Sequence, residues 1–117
     1  MNEEPLHTIC YISMLLEEIP QRDVKRLAAT FSASNLEVGI TGCMGIRRRE
    51  VMQVLEGPRD VVEDLFRRIQ VDSRHVGITL MVSTGILRRR FDGWGMTELP
   101  YGAVVAVADQ IRGIHGR

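Results

Sequence analysis

Two segments decide most of what this chain can become. PQRDVKRLAATFSAS (20–34) and PRDVVEDLFRRIQ (58–70) each open on a proline, and each sets apolar residues at helical spacing: Val24, Leu27, Ala28 and Phe31 in the first, Val61, Val62, Leu65, Phe66 and Ile69 in the second. Proline has a fixed φ and no N–H to lose, so it starts a helix readily, and the spacing gives each helix one apolar face. Runs rich in strand-favouring residues flank them: LHTICYISM (6–14), VGITGCMGI (38–46), EVMQVLEG (50–57) and VGITLMVSTGI (76–86). Only Arg47 to Arg49 separate the second run from the third, which predicts a hairpin whose turn has neither glycine nor asparagine. A short fifth strand is expected through RRFDGW. The order βαββαβ is the split βαβ pattern of α+β, ferredoxin-like domains, with both helices on one face of a mixed or antiparallel sheet. The other face needs cover. After Pro100 the apolar patch from Ala103 to Ala108 can fold across it, as strand or as helix, or dock on a second subunit.

A chain of 117 residues builds one core without disulfides or metal. Its 15 basic and 15 acidic side chains cancel, so bulk charge makes no case for nucleic acid or an anionic membrane. Cys10 and Cys43 each lie inside an apolar run, outside any CxxC motif, and read as buried free thiols in a reducing cytoplasm. The acidic N-terminus is unlike a signal peptide, and no apolar stretch approaches a membrane span, so a cytoplasmic protein with no fused effector domain is expected. His7, His75 and His115 are too scattered for a metal site, with His75 in the turn after the second helix. The arginine triplets 47–49 and 88–90 sit at predicted turns and read as solvated charge.

Four places put polar groups where the pattern is apolar. Gln53 lies at the centre of VMQVLEGP, and a buried amide costs free energy unless its two N–H donors and its carbonyl are paired. Tyr11 lies mid-strand in the first run. In a ferredoxin-like sheet strands one and three are the adjacent central pair, so a phenol and an amide can meet across the ladder. By spacing alone, such a pair more simply satisfies itself than performs chemistry. Asn35 follows the first helix, where asparagine most often serves as a left-handed C-cap. Trp94-Gly95-Met96 closes the return path of the fourth strand.

Together CYIS with Tyr11 and Ser13, SNLEVGITG with Asn35, VMQVLEG with Gln53, DSRH with Asp72 and His75, and RRRFDGWGM with Trp94 and Met96 resemble the BLUF family of blue-light sensors that use FAD. The resemblance spans about residues 6 to 99, in family order. It implies residues 1–99 as an FAD-binding photosensory domain and 100–117 as a C-terminal extension for output or oligomer contact. It implies an isoalloxazine ring between the two helices, sandwiched by Leu27 and Ile69, with Asn35 on the N3/C4=O edge and Arg68, oriented by Asp72, on the O2/N3 side. Many relatives have two asparagines where this chain has Ser34-Asn35, and a glycine-containing turn where it has three arginines.

The resemblance also implies a mechanism. Light excites oxidised flavin, Tyr11 supplies an electron and a proton through Gln53, and a rearranged hydrogen-bond network around the Gln53 amide persists. Only an amide offers a donor and an acceptor to exchange. Ser13, in contact with Trp94, and Trp94 and Met96 then relay the change to the segment 97–117. The expected output is made in trans, by a homo-oligomer meeting a signalling protein, with no enzyme activity of its own. The alternative is a flavin-free ferredoxin-like interaction module. An RNA-binding module is disfavoured because aromatics form 5% of the chain and VMQVLEG lacks a stacking platform. An acylphosphatase-like hydrolase is disfavoured because strand one has no glycine-rich anion cradle beside it.

Overall fold

The computed structural model describes residues 5–113. The elements, in order, are β1 (Leu6–Leu15), α1 (Gln21–Glu37), β2 (Thr41–Arg47), β3 (Glu50–Pro58), α2 (Arg59–Gln70), β4 (His75–Ile86), β5 (Thr97–Glu98) and α3 (Tyr101–Arg112). The sheet order is β4-β1-β3-β2-β5. Its first four strands are antiparallel, as a ferredoxin-like α+β domain requires, and β5 joins β2 in parallel.

Each helix is preceded by a proline whose extended ψ turns the chain into it: Pro20 (ψ 144°), Pro58 (136°) and Pro100 (142°). Helices α1 and α2 lie on one face, where Ala28, Val62 and Phe66 pack on Ile9, Tyr11, Ile40, Met44 and Leu55. On the other face α3 presents Val104 and Ala108 to Cys10, Cys43, Met52, Val54 and Val82. The segment after Pro100 is therefore the missing cover, and it is helical. With both faces covered, β1 and β3 are buried along nearly their whole length rather than at alternate residues. Burying an aliphatic or aromatic side chain of this kind stabilises the fold by about 1.5–3 kcal/mol.

Three local expectations change. RRFDGW forms bends instead of a strand, and the fifth strand is the two residues Thr97–Glu98, held because Gly42 N–H donates to Trp94 O (3.0 Å) and Leu99 N–H to Met44 O (2.9 Å). Helix α1 runs two residues past Asn35, to Glu37, and the turn that follows leaves the helical region at Gly39 (φ 80°), so Asn35 is a last-turn residue and not a C-cap. The β2–β3 turn needs a left-handed residue and takes it from Arg48 (φ 59°), a conformation that glycine would adopt at lower cost.

The arginine triplets do more than face solvent. Arg47 stacks over the Tyr101 ring at 4.3 Å, and Arg49 donates to Leu16 O (3.4 Å). Arg89 donates to Gly39 O (2.8 Å) and to Thr41 Oγ1 (2.9 Å). His115 lies outside the described residues, as do residues 1–4 and 114–117. Among the described residues no His/Cys/Asp/Glu group could hold a metal ion, and no helix is long and apolar enough to cross a membrane.

Candidate functional site

A cleft of about 620 Å³ opens between α1 and α2, above the middle of the sheet. Leu27 and Phe31 project from α1, and Leu65 and Ile69 from α2, each pair four residues apart and therefore on one helix face. All four are half-buried, although their helices are packed on the sheet. The cleft thus has two apolar walls, one from each helix, as sites for aromatic ligands commonly do.

Its floor is polar. Tyr11 and Gln53 are direct partners in the β1–β3 register, and the Tyr11 hydroxyl donates to Gln53 Oε1. Both are buried. Burial pushes the Tyr11 phenol above its ordinary range, with the neighbouring Cys10 and Asp72 charges acting in the same direction, so the phenol remains a donor. The Tyr11 ring packs on Phe66 with centroids 5.6 Å apart. The other end of the Gln53 amide, Nε2, donates to Met96 Sδ at 3.7 Å. A thioether is a weak acceptor, so this donor is held by a partner it can exchange at little cost.

At the rim, Asn35 Nδ2 donates to Gly95 O (2.9 Å), which ties α1 to the segment carrying Met96. Gly95 is required by close approach, because a Cβ there would overlap Ser32 O and lie 2.7 Å from Leu36 Cγ. Arg68 and Asp72 also line the cleft, but they do not pair with each other. Arg68 Nε bridges to Asp64 Oδ2 (3.5 Å), one turn back on its own helix. Asp72 instead accepts from Arg74, at 2.6 Å from Nη2 and 2.9 Å from the backbone N–H. The expected orientation of Arg68 by Asp72 is thus replaced by two separate ion pairs, because the turn after α2 brings Arg74 closer.

The bonds from Arg74 hold the Asp72 carboxyl down at about 2. A carboxylate depressed in the fold supports it above the ordinary carboxylate pKa and loses that support as pH falls from about 4 towards 2. Arg74→Ala, which removes the guanidinium but keeps the backbone N–H bond, is expected to raise the Asp72 titration part of the way towards the ordinary carboxylate range, read from its side-chain carbon chemical shift across pH 2–6. An unchanged midpoint would mean that Arg74 is not the cause.

Ser13 and Trp94 are not brought together. The Ser13 hydroxyl, buried in β1, meets His75 Nδ1 at 2.8 Å, while His75 Nε2 meets Ile69 O at 2.9 Å. A carbonyl only accepts, so Nε2 carries a proton, while Nδ1 pairs with a Ser13 hydroxyl that can donate or accept. His75 is therefore the first residue of β4 and a tie between β1 and the end of α2, and not a turn residue. The Trp94 side chain is 61% exposed, so it neither plugs the core nor touches Gln53, and Met96 occupies that position. Sequence reading missed His75, Phe31 and Met44 as cleft residues. Phe31 stands in the apolar stripe of α1 and His75 in the DSRH motif, but local pattern alone points neither of them into a cleft.

The site offers two apolar walls and, at one end, an amide with one strong and one weak partner. Asn35 and Arg68 bring N–H donors to the lining of the cleft. This donor set fits a planar heteroaromatic ligand with a carbonyl-bearing edge. Comparison with known proteins agrees. The family model described as sensors of blue-light using FAD matches residues 6–97. The photoactivated adenylate cyclase subunit beta of Euglena gracilis is 30% identical over 94 residues, 80% of this chain and 11% of that protein. The blue light- and temperature-regulated antirepressor BluF of Escherichia coli (strain K12) is 28% identical over 91 residues, 78% of this chain and 23% of that protein. The chain spans less than a quarter of the length of either relative. Among solved structures, BlrP1 BLUF aligns with a TM-score of 0.75 at 35% identity, covering 85% of this chain and 67% of that one. The dark-state structure of BlrB, a BLUF protein, aligns with a TM-score of 0.75 at 28% identity, covering 96% and 85%.

Proposed function

The chain belongs to the BLUF family of blue-light sensors that use FAD, and from that premise we propose that Tyr11 and Gln53 are its photoactive pair and that FAD is the flavin it carries. The observation that supports this most directly is the Tyr11–Gln53–Met96 chain of hydrogen bonds on the cleft floor. Bound flavin supplies absorption of blue light and an electron-accepting ring. The chain's own residues do the rest. Leu27, Phe31, Leu65 and Ile69 hold the ring and exclude water. Asn35 and Arg68 donate to its carbonyl edge, and Asp72 sets the local charge with Arg74. Tyr11 holds its proton on the phenol oxygen, facing Gln53 Oε1.

Rotation or tautomerisation of the Gln53 amide exchanges what it offers to Tyr11 and to Met96. Losing a thioether partner costs little, so the donor can leave Met96 for a carbonyl oxygen. Met96, Trp94 and Ser13 are proposed to register the change, Met96 directly and Ser13 through His75. The choice of FAD over FMN rests on the family description, since a BlrP1 structure carries FMN with cyclic diGMP.

Output in trans, to a signalling protein and through a homo-oligomer, is the reading for residues 97–117. Relatives include a light-regulated adenylyl cyclase and BlrP1, and no catalytic group is proposed here. The experiment is the visible spectrum of purified protein, reconstituted with FAD, in darkness, under blue light and during recovery. A flavin spectrum that shifts slightly to the red and returns in darkness is expected. A flavin spectrum without a shift would overturn the Tyr11–Gln53 assignment, and failure to retain FAD would favour the flavin-free interaction module.

A further inference from the structure

The last residue of consequence on β3 has no role in the reading above. Glu56 lies three residues from Gln53, so strand alternation points it to the opposite face of the sheet. It is 1% exposed. A buried carboxylate is costly unless each oxygen is met by donors. Here Oε1 accepts from Phe91 N–H (2.6 Å) and from the Thr41 hydroxyl (2.9 Å), and Oε2 accepts from Arg90 N–H (2.9 Å). Thr41 in turn accepts from the Arg89 guanidinium, which also donates to Gly39 O, so a positive charge sits one hydroxyl away.

What this carboxylate grips is the segment that leads to Met96. From the anchored Phe91, whose carbonyl accepts from Trp94 N–H (2.9 Å), the chain passes to Trp94 O, bound by Gly42 N–H (3.0 Å). It continues to Gly95 O, bound by Asn35, and reaches Met96 against Gln53. In the other direction Arg90 Nη1 donates to Gln110 Oε1 on α3 (3.1 Å). One side chain thus fixes a strap that touches Gln53 at one end and α3 at the other.

We propose that Glu56 is a positioning residue for the light response: by binding the backbone of Arg90 and Phe91 it holds Met96 against Gln53 and couples that contact to α3. This rests on Gln53 being the photoactive amide. The role demands a carboxylate. An amide would turn its NH2 towards either the Arg90 or the Phe91 N–H, replacing an acceptor with a second donor. Met96 and the Gln53 amide are both buried, so the strap also keeps water from the amide; freed from its anchor it no longer does so, and the lit state decays sooner.

The test is dark recovery of the full chain, reconstituted with FAD, after a blue-light pulse. Glu56→Gln is expected to keep the light-induced red shift and to recover about tenfold faster, the rate equivalent of roughly one charge-assisted hydrogen bond. Thr41→Val, which leaves the carboxylate in place, is expected to act in the same direction by roughly threefold, and it carries the test if Glu56→Gln does not fold. In a Met96→Ala background either substitution should change recovery by less than about twofold, because the partner it positions is gone. Acceleration of equal size with and without Met96 would mean that Glu56 supports the fold only, and unchanged recovery in both variants would overturn the proposal. If the unmodified chain binds flavin but shows no red shift, the Gln53 reading fails with it, an outcome distinct from either.

Discussion

Gln53→Leu is expected to abolish the light-induced shift completely while leaving flavin bound. Leucine fills similar space but offers neither donor nor acceptor, so no exchange of partners is available to it. The substitution has a second effect that separates switching from stability. Tyr11 is buried with its hydroxyl on Gln53, and removing the acceptor leaves that hydroxyl unpaired, at a cost of about 1–3 kcal/mol. Adding Tyr11→Phe removes the orphan and should recover most of the lost stability, because replacing both partners by apolar groups is close to neutral. The double variant should remain blind. Difference spectra and urea midpoints on the two variants check both statements, and a residual shift in Gln53→Leu would remove the amide from the mechanism.

Gly95→Ala is expected to damage both the fold and the switch. The new Cβ would overlap the Ser32 carbonyl oxygen and press on Leu36 Cγ at 2.7 Å and Ser32 C at 2.8 Å, two of the three being backbone atoms that cannot rotate away. Either α1 or the strap must move. Overpacking of this kind costs about 1–3 kcal/mol, and loss of the Asn35–Gly95 bond adds about 1 kcal/mol. Displacement also draws Met96 from Gln53, so recovery of the lit state should change together with the urea midpoint. Gly102→Ala is the matched control. Nothing lies within 4 Å of a Cβ at that position on α3, and alanine there should stabilise by up to about 1 kcal/mol. Equal behaviour of the two variants would show that the close approach at Gly95 is relieved without consequence.

The sequence announced the features that local patterns encode. Prolines before apolar stripes placed α1 and α2, and the split βαβ order put β1 beside β3, from which the meeting of Tyr11 and Gln53 follows. Other features depend on partners distant in the chain. A two-residue strand such as β5 has no period to detect, and backbone bonds to Gly42 and Met44 define it. The family resemblance sets Asp72 to orient Arg68, but the turn that follows presents Arg74 with better geometry. Glu56 closed an apolar run in plain view. A charge at a strand end reads as solvated, however, and its donors are backbone N–H groups some thirty-five positions later, which no side-chain pattern records. Ser13 and His75 met for the same reason, through strand pairing that local sequence does not express.

The placement of α3 bears on how such a domain can diversify. Its buried residues, Val104 and Ala108, rest on the sheet face turned away from the cleft, and its first turn fits against Gly45 of β2. Mutations in α3 are therefore screened from the photochemistry by the thickness of one sheet, except along the strap. A lineage can thus exchange or extend its C-terminal helix to suit a new listener while inheriting the same eye.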